Sequence, residues 1–124
     1  MKHISTGSPF EATMGYSRAV VKGGWCFMSG VTGYDYRTMA MPEDVAAQAR
    51  NCFATIRAVM SEAGFAMEDI VRVQYTLTDA GFVTSVSPAL AETFGLIRPA
   101  ATMVIAGLIR PEMKIEIEVT AFKG

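Results

Sequence analysis

Across residues 42–63, Val45, Ala49, Cys52, Ile56, Val59 and Ala63 recur at steps of three and four and draw one apolar stripe along a helix. Pro42 suits the first helical turn, Glu43 and Asp44 favour its positive end, and Gly64 is suited to the left-handed residue that stops it. Gln48, Arg50, Arg57 and Glu62 fall largely off the stripe. A helix that is apolar on one side only must lie on another surface. The chain supplies that surface at residues 70–78, where Val71, Val73, Tyr75 and Leu77 alternate with Arg72, Gln74 and Thr76, the pattern of a half-buried strand. A helix layer packed on a sheet is therefore required.

The remaining segments extend this plan. Residues 1–14 are polar, contain Gly7, Ser8 and Pro9, and read as an extended arm or loop. Residues 18–21 and 25–29 are short β-prone runs on either side of Gly23-Gly24, a hairpin turn signal. Gly30 and Gly33 stop the second run, and residues 31–42 form a loop carrying Tyr34 and Tyr36. A second helix spans roughly residues 81–95. An interior proline costs about 3 kcal/mol, so Pro88 places the start of the regular helix near Ser87, with Ser87 as its cap. Gly95 closes it. Residues 102–106 and 114–122 are the last strands, joined by the loop 107–113. The order is β-β-α-β-α-β-β, without repeats, in a chain of 124 residues that fits one domain over its whole length. An α+β fold with two helices on one face of a sheet follows. The other face needs a cover, and if it is apolar, subunit association is the simplest one.

Composition excludes several classes of function. At 51% hydrophobic and 19% charged the chain is ordinary globular material. Its eleven basic residues are scattered and the net charge is -1, so there is no electrostatic case for nucleic acid. Near-zero charge and nine methionines point to apolar surface buried in an oligomer, although individual methionines read as gap-fillers. His3 is the lone histidine, and Cys26 and Cys52 lie in apolar patterns, so a metal site is not expected and two buried thiols in a reducing cytosol are. No apolar run is long enough to span a membrane, and the N-terminus lacks a signal-peptide core. The chain reads as cytoplasmic.

Several local motifs occur in a specific order. They are Gly15-Tyr16-Ser17-Arg18-Ala19-Val20, Phe27-Met28-Ser29-Gly30, Val73-Gln74-Tyr75-Thr76-Leu77-Thr78-Asp79, Arg98-Pro99-Ala100 and Ile115-Glu116-Ile117-Glu118. In this order and spacing they resemble the YjgF/RidA family over nearly the whole chain. The resemblance implies a fold similar to trimeric bacterial chorismate mutase, and a homotrimer with a small-molecule site in each cleft between subunits. Archetypal members hydrolyse reactive enamines and imines, such as 2-aminoacrylate, to keto acids and ammonia, without a metal or organic cofactor. In them an Arg directly after the Pro-Ala grips the substrate carboxylate, a Glu on the last strand holds the attacking water, and the Tyr of the Tyr-Ser segment lines the pocket.

The correspondence assigns the water-holding role to Glu116 and the pocket-lining role to Tyr16. Ser29 and Gly30 end a strand where backbone groups can face the pocket, and Thr102 offers a hydroxyl at its rim. The arginine position is Ala101, which cannot bind a carboxylate, and Met103 and Ile105 make the mouth more apolar than in the archetype. Arg98 stands three positions early, across Pro99, and reads as structural, through a salt bridge or a carbonyl contact. Arg18, two residues from Tyr16 and on the same strand face, is the other candidate for a compensating cation. Glu116 is equally readable as one of two solvated acids with Glu118, Tyr16 as an interface aromatic, and Trp25 and Phe27 as core. Two functions remain: a divergent enamine or imine deaminase, or related hydrolase, working through Glu116 and water, and a non-catalytic small-molecule-binding trimer. A nucleic-acid role is a third, opposed by the balanced charge.

Overall fold

A computed structural model describes all 124 residues. The elements are β1 (Lys2–Ile4), α1 (Pro9–Met14), β2 (Ala19–Lys22), β3 (Trp25–Met28), β4 (Val31–Thr32), α2 (Val45–Ala63), β5 (Ile70–Leu77), α3 (Val83–Phe94), β6 (Ala100–Ile105) and β7 (Ile115–Phe122). The strands form one sheet in the order β1-β2-β3-β7-β5-β6, with β4 also paired to β7. β5 and β6 run parallel and the other pairs are antiparallel, which leaves β6 as a free edge. The result is the α+β architecture expected, with α2 and α3 packed together on the sheet. Neither helix is long and apolar enough to cross a membrane.

The core lies between the helices and one sheet face, where Val73, Tyr75, Leu77, Ile117 and Val119 meet Ala49, Cys52, Ile56, Val86 and Phe94. Both cysteines are buried free thiols, and burial pushes both upward from the ordinary thiol range. Asp44, rather than Pro42, starts α2: its carboxylate accepts from the Ala47 amide (2.9 Å). Gly64 ends the helix at φ +83°, as its position predicts. Gln48 is fully buried, against expectation. Its amide nitrogen donates to the Pro42 (2.8 Å) and Glu112 (3.0 Å) carbonyls, and its oxygen accepts from the Lys114 amide (2.9 Å). Gly33 permits this, since a Cβ there would come within 2.5 Å of the Gln48 Cβ.

Four further expectations are corrected. The N-terminal segment is not a simple arm: β1 pairs with β2, and Ser8-Pro9 starts α1, with the Ser8 hydroxyl accepting from the Phe10 amide (3.3 Å). Val71 is exposed because the β5–β7 register shifts between Ile70 and Arg72, which turns Ile70 inward instead. α3 begins at Val83, with Pro88 inside it, and Ser87 is no cap: its hydroxyl donates to the Val83 carbonyl (2.7 Å). A turn at residues 79–82, capped by Asp79 on the Gly81 amide (2.7 Å), launches the helix upstream, and burial of Val86 and Phe94 outweighs the proline. Finally, Trp25 and Phe27 are not core. They stack on each other (5.8 Å between centroids), Trp25 meets Phe122 (4.6 Å), and all three are 41–49% exposed on the face away from the helices.

Candidate functional site

The site residues near the start of the chain are assembled by a tight turn. Gly15 ends α1 at φ +74°, and Tyr16, Ser17 and Arg18 then lead into β2. Ser29 closes the other side: its amide donates to the Arg18 carbonyl (2.9 Å) and its hydroxyl to the Ser17 carbonyl (2.6 Å). That hydroxyl is thus committed to backbone. Arg18 is 1% exposed. Its Nη1 donates to the Gly30 carbonyl (2.7 Å), Nε makes a long contact with Thr6 Oγ1 (3.5 Å), and the guanidinium stands 4.7 Å from the Tyr36 ring centre and 5.7 Å from that of Tyr16. No carboxylate lies within ion-pair distance of this buried cation; the chain's one ion pair is Arg37–Asp35 (3.5 Å).

Two acids balance Arg18 from farther away. Burial disfavours ionisation of Glu11, but hydrogen bonds from the Thr6 hydroxyl (2.7 Å) and amide (3.0 Å), aided by Arg18, hold it below the usual carboxylate range. Glu116 is the opposite case. It is the second residue of β7, paired with Thr32 of β4 and Thr76 of β5, and is half-buried. Burial pushes its carboxyl above the usual range, Glu118 adds to this, and Arg18 opposes it. The carboxyl lies directly on Gly30: a Cβ there would overlap Glu116 Cδ and come within 2.7 Å of Oε2. Tyr36 completes the surround, its hydroxyl bonded to the Thr32 amide and hydroxyl (both 3.1 Å). Burial raises Tyr16 as well, against the pull of Arg18.

Ala101 and Thr102 lie apart from this cluster. Ala101 is in register with Val73, so it faces the helices, whereas Glu116 is in register with Thr76 on the open face. Thr102, on the open face, accepts a long contact from Arg72 Nη2 (3.4 Å) and stands two strand spacings, about 10 Å, from β7. Within one chain, then, Tyr16, Arg18, Gly30 and Glu116 come together, and the β6 residues do not join them. Ala101 instead borders a cleft of about 520 Å³ between β6 and α3, with Val73, Tyr75, Leu90, Phe94 and Arg98 among its walls. Arg98 adopts φ +53°, and its amide donates to the Phe94 carbonyl (2.8 Å). Of the two structural contacts expected of it, the salt bridge does not form, and the carbonyl contact is made by the backbone amide. A depression of about 560 Å³ also lies beside α2, bounded by Thr6, Tyr34, Tyr36, Asn51 and Thr55, with Asp35 and Arg37 paired at its rim.

Tyr36, Thr32 and Thr6 were not legible as site residues, since Thr6 and Tyr36 join the cluster through Arg18 and Thr32 through its register with Glu116, partners separated from them in sequence. Glu11 had a local signal in Ser8-Pro9-Phe10-Glu11, a helix start with an acid in its first turn. No three His, Cys, Asp or Glu side chains are grouped as metal ligands.

An α+β sheet with two covering helices, a buried Arg18 beside Gly30 and the half-buried Glu116, and a free parallel edge strand define the class of fold. Comparison with known proteins identifies it: the model of the Endoribonuclease L-PSP family matches residues 6–123. Rv2704 of Mycobacterium tuberculosis, a member of the YjgF/YER057c/UK114 family, superposes with a TM-score of 0.89 at 35% identity, over 98% of each chain. The YjgF gene product of E. coli does so at 0.88 and 28% identity, over 100% of each chain, and RidA of an Antarctic Psychrobacter at 0.88 and 27%, over 99% of each. The chain belongs to the Endoribonuclease L-PSP family, that of YjgF and RidA.

Proposed function

We propose that this chain hydrolyses a C=N bond in a small enamine- or imine-derived metabolite. It would work in the cytoplasm as a homotrimer, without a cofactor, through water held by Glu116. The carrying observation is the Glu116 carboxyl itself, half-buried, pressed on Gly30 and raised by burial. A carboxylate lifted in this way is a stronger base than a solvated one once ionised. In the proposed reaction Glu116 takes a proton from water as the oxygen adds to the imine carbon, and hands that proton to the nitrogen. Collapse of the resulting carbinolamine to a carbonyl moves the hydroxyl proton to nitrogen and releases ammonia. Tyr16 would line the cleft completed by the neighbouring subunit, and the buried Arg18 behind it opposes excessive protonation of Glu116. The Gly30 backbone shapes the floor, and Ser29 holds the turn. Ala101 and Thr102 would come from the β6 edge of the neighbouring subunit, since within one chain they lie away from Glu116.

The test is release of ammonia and carbonyl product from a panel of imines. Glu116→Gln should lower turnover by about 10²–10⁴-fold. Retention of wild-type turnover in that variant sinks the assignment. Ala101→Arg asks whether a carboxylate clamp is what the chain lacks for 2-aminoacrylate: a gain of that activity would mean that the rest of the machinery is intact. Ala101 also favours a second reading, a non-catalytic binding trimer, which predicts a ligand-induced thermal shift with no turnover. The family description names an endoribonuclease, but a net charge of -1 with scattered basic residues makes no electrostatic case for RNA, and RNA cleavage is not the reading adopted.

A further inference from the structure

The depression beside α2 takes in neither Glu116 nor Ala101, and its volume of about 560 Å³ suits a small organic molecule. Its floor is one face of the helix. Asn51, Ala54, Thr55 and Ala58 line it at steps of three and four, so their side chains are neighbours. Ala54 and Ala58 are exposed and too small to fill the space above them. Two polar side chains on this floor have bonding capacity that the chain does not use. Asn51 Nδ2 donates to the Gly33 carbonyl (3.0 Å), which fixes the amide plane and leaves Oδ1 an oriented acceptor without a partner. The Thr55 hydroxyl is half-buried and likewise forms no hydrogen bond within the chain. No polar side-chain atom is both sealed from solvent and unpartnered, so both of these stay open to the depression they line. The wall beside the helix is aromatic: Tyr36 lies on it, with Tyr34 set edge-on (6.0 Å between ring centres). Charge at the rim is balanced, since Asp35 is paired with Arg37 (3.5 Å).

We propose that this depression binds a small, uncharged aromatic carboxamide. The ring lies against Tyr36 and over Ala54 and Ala58, an amide N–H donates to Asn51 Oδ1, and the amide oxygen accepts from the Thr55 hydroxyl. A primary amide presents a donor and an acceptor side by side, and residues four apart on a helix stand about 5–6 Å apart at Cβ, so one amide can meet both side chains. An aromatic ring gains offset or edge-on contact with Tyr36 as well as burial over the alanines. An ionised ligand would give up hydration here for no unpaired counter-charge, because Asp35 and Arg37 answer each other. Tyr36 is also the ring that covers Arg18 (4.7 Å) and whose hydroxyl braces Thr32, so one side chain separates the occupant from the group around Glu116. The binding itself does not depend on imine hydrolysis.

Titration of the full chain with benzamide, followed residue by residue in its backbone amide NMR spectrum, tests it. Benzamide should bind with a dissociation constant of about 1 mM, the range open to a ligand of this size, and should move the amides of residues 34–37 and 51–59. N,N-dimethylbenzamide, which has no N–H to donate, should bind at least about five-fold more weakly. Benzoate should leave these amides unmoved. Thr55→Val should weaken benzamide several-fold, and Ala58→Leu, which fills the floor from an exposed helical position that tolerates leucine, should abolish its binding. Urea unfolding shows that both variants remain folded. The proposal is overturned by any of four results: no movement of these amides at about 10 mM benzamide, equal affinity for benzamide and its dimethyl analogue, equal response to benzoate, or binding that survives in Ala58→Leu.

Discussion

Gly30 and Glu116 function as a pair. The carboxyl of Glu116 occupies the space that any side chain at residue 30 would need, and the Gly30 carbonyl receives the buried Arg18 guanidinium. In Gly30→Ala the new methyl meets the end of the Glu116 side chain, so the carboxyl must swing out of the place it holds. The substitution should cost about 1–3 kcal/mol in urea unfolding. It should also displace the proposed base, so activity falls further than stability accounts for. Glu116 adds a pH signature. Its native carboxyl is raised above the unfolded value, so between the two the native state binds more protons and stability falls as pH rises. That loss begins near the unfolded value, about pH 4, and stops above the raised native one. Glu116→Gln removes it. Unfolding midpoints collected from pH 4 to 8 should show the variant gaining on the wild type as pH rises, then holding level; parallel curves would mean that burial does not penalise this carboxylate.

Gln48 shows how one side chain can tie elements together. From a single turn of α2 it bonds the Pro42 carbonyl before the helix, the Glu112 carbonyl in the loop before β7 and the Lys114 amide at the mouth of that strand. Gln48→Leu keeps the volume and leaves the fully buried position without its three backbone bonds, so a loss of about 2–4 kcal/mol in urea unfolding is expected; a loss under 1 kcal/mol would mean that water replaces the amide. This role is invisible to periodicity, which sorts glutamine with the solvent-facing residues. The same limit explains what was and was not legible. α2, the β2–β3 hairpin and the strands β5 and β7 follow from apolar spacing and from Gly23-Gly24 and Gly64, signals contained in a few neighbouring residues. The pairing of β1 depends on β2, the exposure of Val71 on a register shift against β7, and the survival of α3 through Pro88 on packing of Phe94 against Phe53 (5.5 Å between ring centres). Each of those is decided by a partner remote in sequence. The candidate site divides in the same way: Tyr16, Gly30 and Glu116 could be read from motifs, whereas the faces they share with Tyr36 or withhold from Ala101 required the sheet register.

At the scale of the molecule, the two sheet faces have different fates. One is sealed by α2 and α3, and the other carries Trp25, Phe27 and Phe122 as a stacked cluster, each more than 40% exposed. Large aromatic groups gathered on an uncovered sheet face are costly in water and typical of contact surfaces. The free edge β6 adjoins the same problem, because its outer backbone groups lack a strand partner. A second copy of the chain is the cover the resemblance implies, and it would also answer the separation of Ala101 from Glu116, because a neighbour's β6 can approach a Glu116 that its own β6 cannot reach. Light scattering should accordingly give three times the monomer mass at micromolar concentration. Phe27→Asp places a charge against Trp25 in the aromatic cluster, on the face away from the helix-facing core. It should dissociate the assembly to monomers that keep their secondary structure by circular dichroism. If the site is completed between subunits, those monomers should lose imine turnover in proportion to the trimer lost, and recover it at concentrations where trimer reforms. A monomeric variant with full turnover would place the working site within one chain and remove β6 of the neighbour from it.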